Sequence, residues 1–343
     1  MKKLDSDFEG QRQALFDCLL DLARSLRDEV VLAGESATTE DNARVVSDAD
    51  GDTIFAIDRV GEDWLVAGLS RLARSVPILL LAEGLPPAGI ALPEGVDPDL
   101  IDWRILADPI DGTRGLMYQK RSAWVLLSAA RNLGSATRLS DIEVAVQVEI
   151  PPIKQHLGDE MAVLVGEDLR AWRFDRTTGT RTEWQPRPSR AKGLEQGFAT
   201  IARFFPGGRE ELAAIDDALC ARLLGPPVRG KAQCFEDQYI SSGGQLYELM
   251  AGHDRFVADL RPLLETSEAL RGQNTGICAH PYDLCTIAVA RAAGVIVEDP
   301  RGRPLDAPLN LTQDVAWAGY ANEALRDLVA PALRAILQER GLL

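Results

Sequence analysis

The stretch WRILA, residues 103–107, ends on two carboxylates, and that junction constrains the fold more than any other feature of the chain. Its apolar residues read as a short buried strand. The strand leads directly into DPIDGT, residues 108–113. Pro109 has a fixed φ and keeps Asp108 out of the helical region, so the motif predicts an extended turn at a strand exit. Asp108 and Asp111 then project two oxygen ligands into one space. The run ILLLA at 78–82 reads as a second buried strand, with Glu83 where it ends. Acids at the ends of apolar strands are common ligand positions in open α/β sheets.

Around these strands the pattern is helical. Phe8, Leu15, Leu19, Leu22, Leu26 and Val30 form one stripe, predicting an amphipathic helix that Gly34 ends. A second helix fits 58–75, with Leu65, Leu69 and Leu72 on one side. WVLLSAA and IEVAVQVEI read as strands, and the polar, turn-rich stretch 170–190 suggests a soft boundary near residue 190. Beyond it, helices at 208–223, 237–251, 282–293 and 322–339 alternate with the strands RFVADL and VIVED. The expectation is an α+β domain over 1–190 and an α/β domain over 191–343, with mixed sheets flanked by helices.

Charge narrows the partners. With 52 acidic residues against 37 basic ones in 343, the net charge is -15. Such a surface repels nucleic-acid polymers and anionic membranes. An anionic substrate must therefore be held locally, by metals, backbone amides or a few arginines. Cys18, Cys220, Cys234, Cys278 and Cys285 are odd in number and scattered, which suggests neither a disulfide framework nor a zinc site. The N-terminal MKKLDSDFEGQRQ turns polar where a signal peptide needs an apolar stretch. A cytoplasmic location is expected.

Carboxylates of this kind suit Mg²⁺ or Mn²⁺, and the Ile110 carbonyl offers a further oxygen. At Gly112 and Thr113 the backbone can approach an anion closely. Each residue also has a plainer reading. DPIDGT is rich in turn formers, Glu83 fits a solvated loop acid, Asp283 fits a favourable charge near a helix start, and Asp58 fits an N-terminal cap.

Taken together, LLLAEG, DPIDGT, SSGGQLYELMAGHDRF and HPYDLCTIAVARAAGVIVEDPRGRPLD resemble, in order and spacing, the inositol monophosphatase family of lithium-sensitive, magnesium-dependent phosphatases. The resemblance covers most of the chain from about 50 to 310. It implies a layered αβαβα sandwich, the sugar-phosphatase fold. It implies that Glu83, Asp108 and the Ile110 carbonyl hold one Mg²⁺, that Asp108, Asp111 and Asp283 hold a second, and that a third, weaker ion leans on Glu83, with Mn²⁺ as a substitute. Asp58 and Thr113 become the pair that orients and deprotonates the attacking water. Gly112, Thr113 and Arg114 become the phosphate contacts. Two positions depart from the family pattern: Tyr282 replaces a tryptophan, and Phe55 stands where many members have threonine. The implied activity is in-line hydrolysis of a small phosphorylated metabolite by a metal-activated water, in an enzyme commonly homodimeric.

Rival readings remain open. VVSDADGDT offers Asp48 as the nucleophile of an aspartyl-phosphate phosphatase, and the same fold can serve as a non-catalytic binding module. The stretch fails as an EF-hand, because Arg59 occupies the position of the bidentate glutamate. RGQNTGICAHPYD departs from the inositol-type pattern, and Asn274, Thr275 and His280 suggest a remodelled leaving-group pocket. Arg114, Lys120, Arg121 and Arg203 are candidates for binding a second phosphate.

Overall fold

The structure, a computed structural model, describes residues 2–36, 38–49, 52–97, 100–266 and 275–343, with the side chains of 2–7, 46–49, 52–60 and 266 left out. The opening helix α1 (Lys2–Ser36) extends the expected stripe at both ends. Leu15, Leu19, Leu22, Leu26 and Val30 are all buried. α2 (Thr39–Asn42) is a single turn, after which β1 (Val45–Ala49) and β2 (Asp52–Phe55) form an antiparallel hairpin. α3 (Ala56–Leu72) packs against α1.

The principal sheet is built from β3 (Ile78–Ala82), β4 (Ile90–Leu92), β5 (Trp103–Asp111), β6 (Ala123–Arg131), β7 (Ile142–Ile150), β8 (Leu157–Leu164), β9 (Arg170–Asp175) and β10 (Thr180–Glu183). Its order is β10-β9-β8-β7-β6-β5-β3-β4. β3 and β5 pair in parallel, and the remaining pairs are antiparallel. The short helix α4 (Thr113–Met117) joins β5 to β6. Along β6, Ala123, Val125, Leu127 and Ala129 face the core under α1 and α3, while Trp124, Leu126 and Ala130 face the opposite core. Burial on both faces explains why this strand reads as an unbroken apolar run.

The second sheet holds β11 (Phe198–Ile201), β12 (Asp254–Asp259), β13 (Ile296–Glu298) and β14 (Trp317–Tyr320), in the order β11-β12-β14-β13. α5 (Arg209–Leu224) and α9 (Glu323–Glu339) cover its outer face. Between the sheets lie α6 (Ser242–Ala251) and α8 (Ile287–Ala292), and α7 (Arg261–Thr266) follows β12. The result is the layered αβαβα arrangement expected from the sequence. Among the described residues, no helix is long and apolar enough to cross a membrane.

Two expected helices are shorter than the sequence suggests. The stretch 237–251 becomes helical only at Ser242, because 237–241 is held extended by tertiary bonds: Asp237 N donates to Thr200 Oγ1 at 3.2 Å and Tyr239 OH to the Ser122 carbonyl at 2.7 Å. The stretch 282–293 divides into a 3-10 turn, Tyr282–Leu284, and the six-residue α8.

Candidate metal centre

The motif is not a turn beyond a strand, because β5 continues through Asp111. Against β6, Asp108 faces Leu126 and Asp111 faces Trp124, so three steps on one strand span two on the other. Side chains three apart on a regular strand point to opposite faces. The extra residue is a bulge that returns both carboxylates to one side. Asp283 comes from the 3-10 turn, and the carboxylate oxygens of Asp108, Asp111 and Asp283 lie within 4.8 Å of one another.

Each acid is held by specific donors. Ile110 N donates to Asp108 Oδ1 at 3.0 Å, and His280 N to Asp283 Oδ2 at 2.6 Å. Asp111 Oδ2 accepts from Ser241 Oγ at 2.9 Å and from Gly243 N at 2.6 Å. Ser241 is also the N-cap of α6, accepting from Gly244 N at 2.8 Å. The first turn of α6 thus presents its unpaired N–H groups to the buried carboxylate, the favourable end of the helix for a negative charge. A Cβ on Gly243 would stand 2.8 Å from Asp111 Oδ2 and 2.6 Å from Leu126 Cδ2. Only glycine lets the backbone come this close.

Electrostatically the triad is in deficit of positive charge. Burial, then Asp111 and Asp283, push Asp108 well above the usual carboxylate range. Burial and Asp283 push Asp111 up to about 8, against the bonds from Gly243, Ser241 and Ser242. Arg261 lines the same cleft, but its guanidinium is paired with Asp259, Nε to Oδ1 at 2.8 Å and Nη2 to Oδ2 at 2.5 Å. A clustered all-oxygen donor set of this kind fits a hard divalent cation.

The remaining candidates are distributed as follows. Glu83 directly follows β3, lines the cleft and hydrogen-bonds Asp108, but stands outside the tight group of three. Ile110, Gly112, Thr113 and Arg114 line the cleft too, and Thr113 Oγ1 donates to the Ile110 carbonyl at 2.8 Å. Gly112, with φ at 98°, is the N-cap of α4. Asp58 lies on α3, but its side chain is outside the described residues. That helix reaches the motif at Gly61, where a Cβ would be 2.9 Å from Pro109 Cβ. Asp48 lies on β1, in the separate hairpin, and its side chain is likewise undescribed, as is the whole of Asn274. Thr275 is buried, its hydroxyl bonded to Glu265, and His280 stacks on Tyr282 with ring centroids 5.1 Å apart.

The basic cluster does not converge. Arg203 pairs with Asp216 at 3.2 Å and with Glu236, while Arg121 pairs with Asp237 at 2.7 Å and Glu248 at 2.9 Å. Lys120 and Arg121 border a different cavity. Arg114 alone of the four lines the cleft, with its guanidinium carbon 5.2 Å from the Phe205 ring centroid. The acid cleft, about 70 Å³, is walled by Phe204, Phe205, Ile277 and Tyr282. The sequence reading named Tyr282 but missed Phe204, Phe205 and Ile277 as walls, and the Ser241–Gly243 support for Asp111. The serine and two glycines ahead of an apolar helix were the available signal.

No protein-family model matches the sequence, and no curated protein matches it. Solved structures do. The fructose-1,6-bisphosphatase of Leishmania major superposes with a TM-score of 0.67 at 14% identity, covering 97% of each chain. The extragenic suppressor protein SuhB of Bartonella henselae gives 0.63 at 16% identity, covering 94% of this chain and 98% of its own. An inositol monophosphatase from Anabaena gives 0.57 at 17% identity, covering 94% and 96%. The fold is that of these proteins, as the sequence resemblance implied.

Proposed function

We propose, from the premise that the chain has the inositol monophosphatase and fructose-1,6-bisphosphatase fold, that it is a divalent-metal-dependent phosphatase acting on a small phosphorylated metabolite. One observation carries the reading: three carboxylates, two of them buried, lie within 4.8 Å of one another at the end of a buried strand. Asp108, Asp111 and Asp283, with Glu83 and the Ile110 carbonyl, would hold Mg²⁺ or Mn²⁺. Such ions polarise a phosphoryl group and make water more acidic and thus a better nucleophile at neutral pH.

The chain's own residues then divide the work. Gly112, Thr113 and Arg114, which line the cleft, would bind the phosphate. Thr113 Oγ1, once turned from the Ile110 carbonyl, would orient the attacking water and relay its proton to the Asp58 carboxylate. Ser241 and Gly243 fix the Asp111 carboxylate so that it need not rearrange during the reaction. With Arg121 and Arg203 neutralised by acids elsewhere, a monophosphate suits the cleft better than a bisphosphate. Its apolar walls favour a leaving group that presents hydrocarbon surface alongside its hydroxyls.

Phosphate release from a panel of sugar phosphates, inositol phosphates and nucleotides tests the proposal, with Mg²⁺ or Mn²⁺ supplied and Li⁺ as a control. Release that needs the cation and is lost in Asp283→Asn is expected. A full panel without release would leave the binding module as the better reading. A trappable aspartyl-phosphate lost in Asp48→Asn would move the chemistry to Asp48.

A further inference from the structure

Away from the acid cleft, two thiols face each other. Cys220, in the last turns of α5, and Cys234, on the segment 225–241, have Sγ atoms 3.5 Å apart. That segment runs on into Ser241, the residue that caps Asp111. Both cysteines are half-buried and border a cavity of about 650 Å³, shared with Asp216, Asp217, Lys231 and Glu236.

Neither sulfur sits on a loose end. Leu212, Ile215 and Leu219 anchor α5 in the core, and α9 packs beside it. On the other side, Gln196 N donates to Gln233 O at 2.7 Å, Phe235 N to Gly197 O at 3.0 Å, and Ala199 N to Phe235 O at 2.9 Å. The Phe235 ring meets Phe198 edge-on. The fold therefore sets the spacing of the two sulfurs. A disulfide bond is about 2.05 Å long, so closure asks the sulfurs to approach by roughly 1.5 Å.

We propose that Cys220 and Cys234 form a reversible disulfide, a covalent modification site that staples α5 to the segment carrying the Asp111 cap. The oxidant is a low-molecular-weight disulfide that enters the adjoining cavity. Burial, the neighbouring thiol and Asp216 push the Cys220 thiol up, which slows its ionisation without preventing it. The Cys234 thiolate attacks one sulfur of the small disulfide and expels the first small thiolate, leaving a mixed disulfide on Cys234. Cys220 then gives up its proton to water and attacks Cys234 Sγ, expelling the second small thiolate. Two protein thiols are oxidised and one small disulfide is reduced to two thiols.

The test uses the full chain and oxidised glutathione at pH 8, followed by alkylation, digestion and mass analysis. The expected product is a linked pair of peptides containing Cys220 and Cys234, with no glutathione retained and full reversal by dithiothreitol. Because the bond closes a short loop of the unfolded chain, the oxidised protein should melt a few degrees higher than the reduced protein. The shift should vanish in Cys234→Ser and persist in Cys18→Ser. Glutathione retained on either cysteine, both thiols still alkylated after treatment, or equal melting of the two forms would overturn the proposal. Should Cys234→Ser not fold, the peptide map and melting of the unaltered protein decide the matter alone. Every readout is independent of phosphatase activity.

Discussion

Replacing Asp111 with asparagine should make the metal-free protein more stable while removing its activity. Asp111 is 5% exposed and its carboxyl is pushed up to about 8 by burial and Asp283, against an ordinary value of 3.8. The folded state therefore binds more protons than the unfolded state between about pH 4 and pH 8, and stability falls as pH rises through that window. For a rigid site the loss at pH 8 is about 5 kcal/mol, at 1.36 kcal/mol per pH unit. Side-chain rotation and water entry recover part of it, leaving roughly 2–4 kcal/mol for asparagine to restore. Asparagine keeps an oxygen to accept from Ser241 and Gly243, so the cap of α6 survives. The assay is thermal melting in EDTA at pH 5, 7 and 8, then with Mg²⁺ added. Asp111→Asn should melt higher than the unaltered protein at pH 8, and the gap should close by pH 5, where both carry a neutral side chain. Added Mg²⁺ should raise the unaltered protein alone. A variant that melts lower in EDTA at pH 8 would refute the idea of a charge-repelled, cation-demanding cluster.

Gly243→Ala places a Cβ 2.6 Å from Leu126 Cδ2 and 2.8 Å from Asp111 Oδ2. It should cost about 1–3 kcal/mol and weaken Mg²⁺ dependence of phosphate release at least tenfold, read by melting and metal titration. Glu160 is fully buried, with Arg27 Nη1 at 2.5 Å, Arg24 Nε at 2.8 Å and Arg181 Nε at 3.0 Å. Glu160→Gln removes the charge the three share, leaving Arg27 to the exposed Asp28 at 2.8 Å and Arg24 to the exposed Asp21 at 3.7 Å, and should cost about 1–3 kcal/mol by denaturant unfolding. Activity per folded molecule should not change, because this cluster lies under α1, across the sheet from the acid cleft. A fall in the rate without a fall in stability would contradict that separation.

What the sequence could convey depended on whether the deciding interaction was local. The α1 stripe was readable because one apolar face repeats every three or four residues. WRILA was readable because Trp103, Ile105, Leu106 and Ala107 are all buried and apolar, with Arg104 the one interruption. Asp108, Asp111 and Asp283 were nameable, yet the reading placed Asp108 and Asp111 on a turn and Asp283 at a helix start. The bulge depends on pairing with β6, which is not local. The start of α6 was misplaced for the same reason, since bonds from Asp237 N to Thr200 and from Tyr239 OH to Ser122 hold 237–241 extended. Arg203 looked available in sequence because nothing nearby in the chain predicts its pairing with Asp216 and Glu236. Ser241 is 130 positions from Asp111, and a serine followed by two glycines suits the start of any helix.

The placement of the acids suggests why stability and cation binding should be coupled throughout the molecule. Asp108 and Asp111 belong to the eight-stranded sheet, whereas Asp283 and the Ser241 cap belong to elements packed between the two sheets. Without a cation, the repulsion among the three acids acts across that layer boundary and opposes its closure. The opposing attractions are the bonds from Ser241 and Gly243 to Asp111 and the buried chain Thr286 Oγ1 to Gln147 Oε1 at 2.9 Å and Gln147 Nε2 to Gly243 O at 2.8 Å. These bonds keep the layers in register, and a bound cation would turn the repulsion into a bridge between them. Metal binding should therefore protect amides on α6, α8 and β5 from hydrogen exchange more than those on β9 and β10, at the sheet's far edge. Uniform protection across the chain would mean that the cation acts only through global stability, not at this boundary.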